Sequence, residues 1–331
     1  MEVRIPPNEV AARVRPEALR RFLADVGRAV GMSEEDTVLL AMLLARNDLR
    51  GVHSHGSRQI VGYAHWIRKG NLNPRPVLRE HSRTASSVIV DGDGGLGYFP
   101  AWRAVHLLVE MTKAQGIAVA GTHNHGHIGA AGLYSRVPAS HGLICYGTSG
   151  YQQNPEPGTP LSVAAGGSPM TFAIPAGAEH PVVLDFGTMN GLYSRDIQDR
   201  VFEVAPGALR RCIGLGVMCQ ILGGILVGVP IAPAEAPWKY PGAFQGALFI
   251  AVDVGRFMPV EAFAAQIDEY VRRAGALQPL PGQERAHLPG GPEWENEREY
   301  ARDGIPFTRK TLDQLAATGR ELGVALLPEM E

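Results

Sequence analysis

From Ser87 onward, short β-branched runs alternate with helix-length stretches, and this change of hydrophobic period limits what the chain can fold into more than any other feature. Residues 88–90, 117–120, 143–146, 170–174, 182–186 and 248–252 read as strands. Helices are expected at about 101–115, 130–141 (interrupted by Pro138), 209–227, 260–274 and 308–322. Such an order makes an α/β fold with a mixed sheet. Ahead of it, three helices are expected: about 16–30, stopped at Gly31; one capped by Ser33 and running to about 49; and about 57–69, closed by Gly70. Expected domains are therefore a helical N-terminal region at 1–80, a mixed α/β region at 81–255, and a C-terminal helical region at 256–331 that packs back on the first.

Composition narrows the function. The 331 residues include 31 Lys+Arg against 33 Asp+Glu with no long run of either sign, so no nucleic-acid or acidic-membrane partner is expected and a small-molecule ligand is. Cys145, Cys212 and Cys219 form no CxxC or Cys/His spacing, which suits a reducing cytoplasm. The opening MEVRIPPNEV lacks the apolar core of a signal peptide. Residues 212–234 carry no charge and are long enough for a bilayer, but Gln220, the terminal prolines and glycines and the lack of a second span favour a helix buried in the domain core.

The strand at 88–90 runs into Gly92-Asp93-Gly94-Gly95-Leu96-Gly97, the spacing of a dinucleotide-binding turn. A Rossmann site also needs an acid at the end of the next strand, where Gly121-Thr122-His123-Asn124 stands instead. Asp91 and Asp93 would repel a pyrophosphate. The run reads better as a structural strand-to-helix turn.

Histidines carry the chemistry. His53 and His55 lie in HSHG, and His123, His125 and His127 in HNHGH. Alternate histidines on an extended segment point to one side and could hold zinc or copper, which keeps a metal-dependent hydrolase in view. No carboxylate lies inside either cluster, so no metal site is assigned. Loop histidines bonded only for structure are the plainer alternative.

In order along the chain come DLRGVHSHG (48–56), Asn73-Pro74-Arg75-Pro76, VDGDGGLG (90–97), HIGAAGLY (127–134), VVLDFGT (182–188), LPGG (288–291) and GIP (304–306). This series resembles the non-Rossmann malate/L-lactate dehydrogenase family, which includes ureidoglycolate dehydrogenase, diketogulonate reductase, sulfolactate dehydrogenase and piperideine-2-carboxylate reductase. The resemblance covers nearly the whole chain. It implies an unusual mixed-sheet fold holding NAD or NADP, a homodimer with sites near the subunit interface, and reversible hydride transfer at C2 of a 2-oxo, 2-hydroxy or cyclic imino acid.

By that resemblance His55 is the proton donor and acceptor, and an imidazole with a reference pKa of ~6.5 suits the task. Ser54 and Asp185 would orient or tune it, and His127 is a second catalytic or substrate-orienting residue. Arg58, Gln59 and Tyr63 are the substrate-binding candidates. The family's arginine falls four residues after the Ser-His-Gly histidine, where Gln59 stands, with Arg58 one place early. Cofactor contacts are expected from Ser149, Asp185, Phe186, Gly187, Arg211 and Glu293, with a simple surface pair as the alternative for Arg211.

The sequence also departs from the family. Its Gly-Thr-Asn-Pro segment is here Gly166-Gly167-Ser168-Pro169, its Lys-Gly-Tyr-Gly helix opening is Arg211-Cys212-Ile213-Gly214, and its long excursion after Asp185 is trimmed to LYSRDIQDRVFEVAPGA. A family member that has lost redox turnover, and binds a ligand or does acid/base chemistry instead, therefore stands as the other alternative.

Overall fold

The computed structural model describes residues 4–151 and 155–331, so residues 152–154 of the expected loop at 150–167 lie outside the described residues. In chain order the elements are β1 (Ala12–Val14), α1 (Pro16–Ala29), α2 (Glu34–Leu49), α3 (Gln59–Arg68), β2 (Arg79–His81), β3 (Ser87–Asp91), α4 (Tyr98–Gln115), β4 (Ile117–His125), α5 (Gly132–Ala139), β5 (Leu143–Tyr151), β6 (Pro169–Ile174), β7 (Val182–Gly187), α6 (Arg195–Val204), α7 (Pro206–Gly223), β8 (Gln245–Asp253), α8 (Val260–Gly275), α9 (Gly291–Asp303), β9 (Ile305–Phe307) and α10 (Arg309–Leu322). They divide into two compact units, one of residues 1–77 with 290–331 and one of residues 78–289. The divisions expected from sequence fell at 80 and 255; residues 256–289, with α8, group with the sheet.

The first unit is helical. Ser33 accepts the backbone N–H of Asp36 at the start of α2, as its position before three acidic residues dictates, and Thr308 caps α10 in the same way. Leu19, Phe22 and Leu23 of α1 and Leu40, Leu43 and Leu44 of α2 are buried where these two helices pack together. β1 pairs antiparallel with β9, so Ala12 lies opposite Phe307 and Val14 opposite Ile305.

The second unit is a seven-stranded mixed sheet in the order β2-β3-β4-β8-β5-β6-β7, in which only β3 and β4 run parallel. A doubly wound dinucleotide fold needs a mostly parallel sheet, and this one is mostly antiparallel. One face carries Val88, Val90, Ala118, Ala120 and Phe249, all fully buried, and the ring of Tyr134 on α5 packs 5.5 Å from that of Phe249. Val119, Leu248 and Ile250 on the other face pack against Val227, Val229 and Trp238.

The glycine run is structural. A Cβ at Gly92 would stand 2.7 Å from His125 Cβ, and one at Gly97 2.5 Å from the Gly126 carbonyl oxygen. Gly94 takes φ +76°, a left-handed turn that suits glycine. These glycines let β3 close onto the loop after β4.

Two expectations change. The uncharged segment is not a buried core helix: Pro206–Val227 is the one stretch among the described residues long and apolar enough to cross a membrane, yet only a third of it is buried. α7 lies on β5 through glycine, since a Cβ at Gly223 would meet the Ser149 backbone at 2.6 Å, while Leu215, Met218 and Ile221 face outward. Nor do the three histidines near 125 share one side. A register shift between Thr122 and His125, with Asn124 at φ +53°, turns His125 into the core.

Candidate active site

In the helical unit the HSHG segment forms a 3-10 turn, His53–His55, between α2 and α3. Asp48, buried at the end of α2, organises it. His53 Nδ1 bonds one carboxylate oxygen at 3.0 Å, and the Ser57 backbone N–H donates to the other at 2.7 Å. A Cβ on Gly56 would come within 2.0 Å of Asp48 Oδ1, so only glycine lets the turn close over that carboxylate. Asn47 Nδ2 donates to the His55 carbonyl at 2.8 Å, and Gln59 Nε2 to the Ser54 carbonyl at 2.5 Å. His55 is thus held at its backbone while its ring, half-buried, shares a 2.8 Å hydrogen bond between Nδ1 and Ser54 Oγ.

The expected substrate residues surround this turn. Arg58 is exposed just ahead of α3, Gln59 begins that helix, and Tyr63 is buried one turn later. His53 belongs to the packing: its ring lies 6.4 Å from that of Tyr300 and 6.1 Å from that of Phe307. Asn47 and Asp48 escaped the sequence reading as positioning residues, although Asp48 opens the DLRGVHSHG motif that marked the segment. Glu293 also lies in this unit, in the first turn of α9, where its buried Oε2 has no hydrogen-bond partner among the described residues.

In the sheet unit His127 stands between β4 and α5, half-buried, and its carbonyl accepts the Gly97 N–H at 3.1 Å. The HIGAAG stretch after it is pinned at both ends. Tyr134 donates its hydroxyl to the Ile128 carbonyl, and burial holds that phenol well above its ordinary pKa. Asp185 on β7 accepts the Gly132 N–H at 2.8 Å, at the start of α5, where a helix presents unpaired donors and positive potential. One turn later, Ser135 Oγ bonds Thr171 Oγ1 at 2.8 Å, and Thr171 is the cross-strand partner of Asp185. α5 therefore sits on the sheet through two polar contacts along one row.

Register brings other expected residues to one end of these strands. Pro169 lies opposite Gly187, Met170 opposite Phe186, and Thr148, next to the buried Ser149, opposite Met170. Ser168, just ahead of β6, is fully buried and its Oγ has no hydrogen-bond partner among the described residues. Its backbone carbonyl takes the Thr188 N–H at 3.0 Å. The sequence signal for Ser168 was its place in the altered Gly-Gly-Ser-Pro segment. Arg211 is exposed on the second turn of α7.

His125 is no ligand and no acid. Its Nδ1 donates to the Gly126 carbonyl at 2.7 Å and its Nε2 bonds Thr122 Oγ1 at 2.8 Å, which uses both nitrogens of a neutral ring. Burial lowers its pKa to about 4. The HNHGH cluster therefore does not supply a three-histidine metal centre.

Comparison with known proteins agrees with this architecture. The sequence profile described as malate/L-lactate dehydrogenase matches residues 14–190 and 201–316, and the break overlaps the trimmed segment after Asp185. Malate dehydrogenase of Pyrococcus horikoshii is 27% identical, over 96% of this chain and 97% of the relative. A solved structure of that enzyme from strain OT3 superposes with a TM-score of 0.83 at 26% identity, covering 98% of this chain and 99% of that one. L-sulfolactate dehydrogenase of Methanocaldococcus jannaschii is 26% identical over 94% of this chain and 97% of the relative. With its fold and nearly its whole length shared with dehydrogenases of small hydroxy acids, the chain belongs to the malate/L-lactate dehydrogenase family.

Proposed function

We propose that this dehydrogenase transfers a hydride between a nicotinamide nucleotide, NAD or NADP, and C2 of a small 2-oxo or 2-hydroxy acid or a cyclic imino acid. The observation that carries the reading is the Asp185–Gly132 hydrogen bond, which fixes a carboxylate at the start of α5, five residues after His127. One feature fits a nucleotide's polar groups: the buried Ser168 hydroxyl lacks a partner among the described residues. Ser149, Asp185, Phe186, Gly187, Arg211 and Glu293 are the proposed cofactor contacts. The bound nucleotide supplies or accepts the hydride.

His55 handles the proton. With Nδ1 paired to Ser54 Oγ, the doubly protonated ring gives its Nε2 proton to the oxygen or nitrogen on C2 as negative charge builds there, and is left neutral with its remaining proton on Nδ1, shared with Ser54. In the reverse direction the same nitrogen receives it. His127 orients the reacting group, and Arg58 and Gln59 hold the substrate carboxylate beside Tyr63, the arginine through a bidentate pair.

The proposed assembly is a homodimer in the cytoplasm, with no nucleic-acid or membrane partner. Its support is the apolar surface of α7 with Phe172 and Leu184, which are 38% and 40% exposed on the sheet, and the three free cysteines. Titration with NADH and NADPH, read by tryptophan fluorescence and melting temperature, followed by a panel of keto and imino acids, tests the reading. If neither nucleotide produces a response, the reading fails.

A further inference from the structure

Neither histidine cluster holds a carboxylate in its own segment, but the sheet supplies one from the neighbouring strand. His81, Asp91 and His123 come from three adjacent strands, β2, β3 and β4, and each offers a ligand atom within 4.8 Å of the others. Register explains the grouping. His81 lies opposite Ile89, two residues from Asp91 on the same face, and Asp91 lies opposite His123.

We propose that His81, Asp91 and His123 form a binding site for a divalent transition-metal ion of the zinc type, separate from the dehydrogenase chemistry. Each fixed ligand is already oriented. His123 Nδ1 donates to the Val227 carbonyl at 2.7 Å, so its proton is on Nδ1 and its lone pair on Nε2. The ring is backed by Trp238 at 5.7 Å. Asp91 Oδ1 accepts Asn124 Nδ2 and the Asp93 N–H, both at 2.7 Å, which leaves Oδ2 for a ligand.

That oxygen stands 3.5 Å from His81 Nε2. Two donors bonded at ~2.0–2.1 Å in tetrahedral geometry are about 3.3 Å apart, so this pair is spaced almost as a metal would hold it. His81 is half-exposed on an edge strand and free to adjust, while Asp91 and His123 are the rigid part. Two imidazoles and one carboxylate select zinc-like ions over magnesium or calcium, and three protein ligands leave a position for water. Arg79 lies opposite Asp91 in the register, so affinity rests on coordinate bonds and not on net charge. A bound ion would also fasten the edge strand β2 to β4.

Equilibrium dialysis and calorimetry of the full chain with Zn2+ alone test the site. About one ion per chain is expected, with affinity falling about 100-fold or more in His81→Ala and in His123→Ala, and unaffected in His65→Ala or His106→Ala, exposed histidines elsewhere. His81→Ala changes only an exposed position, so it reports even if His123→Ala folds poorly. Failure of the native protein to bind Zn2+ saturably, or equal binding by His81→Ala, would mean that His81 and Asp91 are only an ion pair and would overturn the proposal. Neither result depends on turnover.

Discussion

The carboxylate of Asp185 on β7 accepts the Gly132 N–H at 2.8 Å, and a Cβ at Gly132 would stand 2.7 Å from the same oxygen. One contact thus serves as helix cap, as the link between α5 and the sheet, and as the place where two separated motifs meet.

Asp185→Ala should therefore lower stability by about 1 kcal/mol through loss of the cap and weaken nucleotide binding as well. Asp185→Asn, which keeps an acceptor, should fall between. Paired melting and fluorescence titrations check the order; an alanine variant with unchanged nucleotide affinity would remove Asp185 from the cofactor site.

His55→Ala should cut turnover roughly a hundredfold or more while nucleotide binding stays close to that of the native protein, because the role proposed for the ring concerns the proton alone. Stopped-flow and binding measurements on one preparation separate the two. An active alanine variant would reassign the acid to His127.

Gly56→Ala should damage the same step by a different route. The added methyl would meet Asp48 Oδ1 at 2.0 Å, and the turn holding His55 must open. Turnover should fall and the melting temperature with it, whereas Gly62→Ala, whose Cβ meets nothing within 4 Å on nearby α3, should cost neither.

Acid should destabilise the sheet unit through His125. Its folded pKa of about 4 lies below the 6.5 of a free imidazole, so the unfolded chain binds the extra proton between those values. Stability is complete above about pH 6.5 and is lost as pH falls toward 4, by about 3 kcal/mol at most. Denaturant unfolding from pH 7.5 to 4.5 should show this slope, and it should flatten in a folded His125→Gln variant.

Met218→Lys with Ile221→Lys should convert a dimer to a soluble monomer, since both side chains lie on the exposed apolar surface of α7. Light scattering reads the mass. An unchanged mass would place the subunit contact elsewhere.

The long strands were legible because their β-branched runs alternate with helical periods, and 182–186 was read within one residue of β7. The helix cap at Ser33 was legible from chemistry alone. What escaped depends on partners distant in sequence. β1 and β9 are three residues each and exist by pairing with each other. α9 reads as a charge run, GPEWENEREYARD, whose buried residues are few. The histidine alternation failed because a bulge at Asn124 breaks the two-residue period. Family resemblance pointed to His127 and Asp185 as candidates, but periodicity could not have shown that the HIGAAG loop and β7 share a hydrogen bond. Nor could sequence place Asp91 beside two histidines from neighbouring strands.

The pairing of β1 with β9 also sets an order of events during synthesis. Ala12–Val14 leaves the ribosome ahead of the sheet unit, yet its partner Ile305–Phe307 is made only after the whole of that unit. Residues 78–289 are contiguous and have their full set of strands beforehand, so they are able to fold while the helices around His55 still wait for α9 and α10. The segment carrying the proposed acid is thus completed after the sheet unit, and the growing chain acquires the strands of the proposed nucleotide contacts before that segment is fixed.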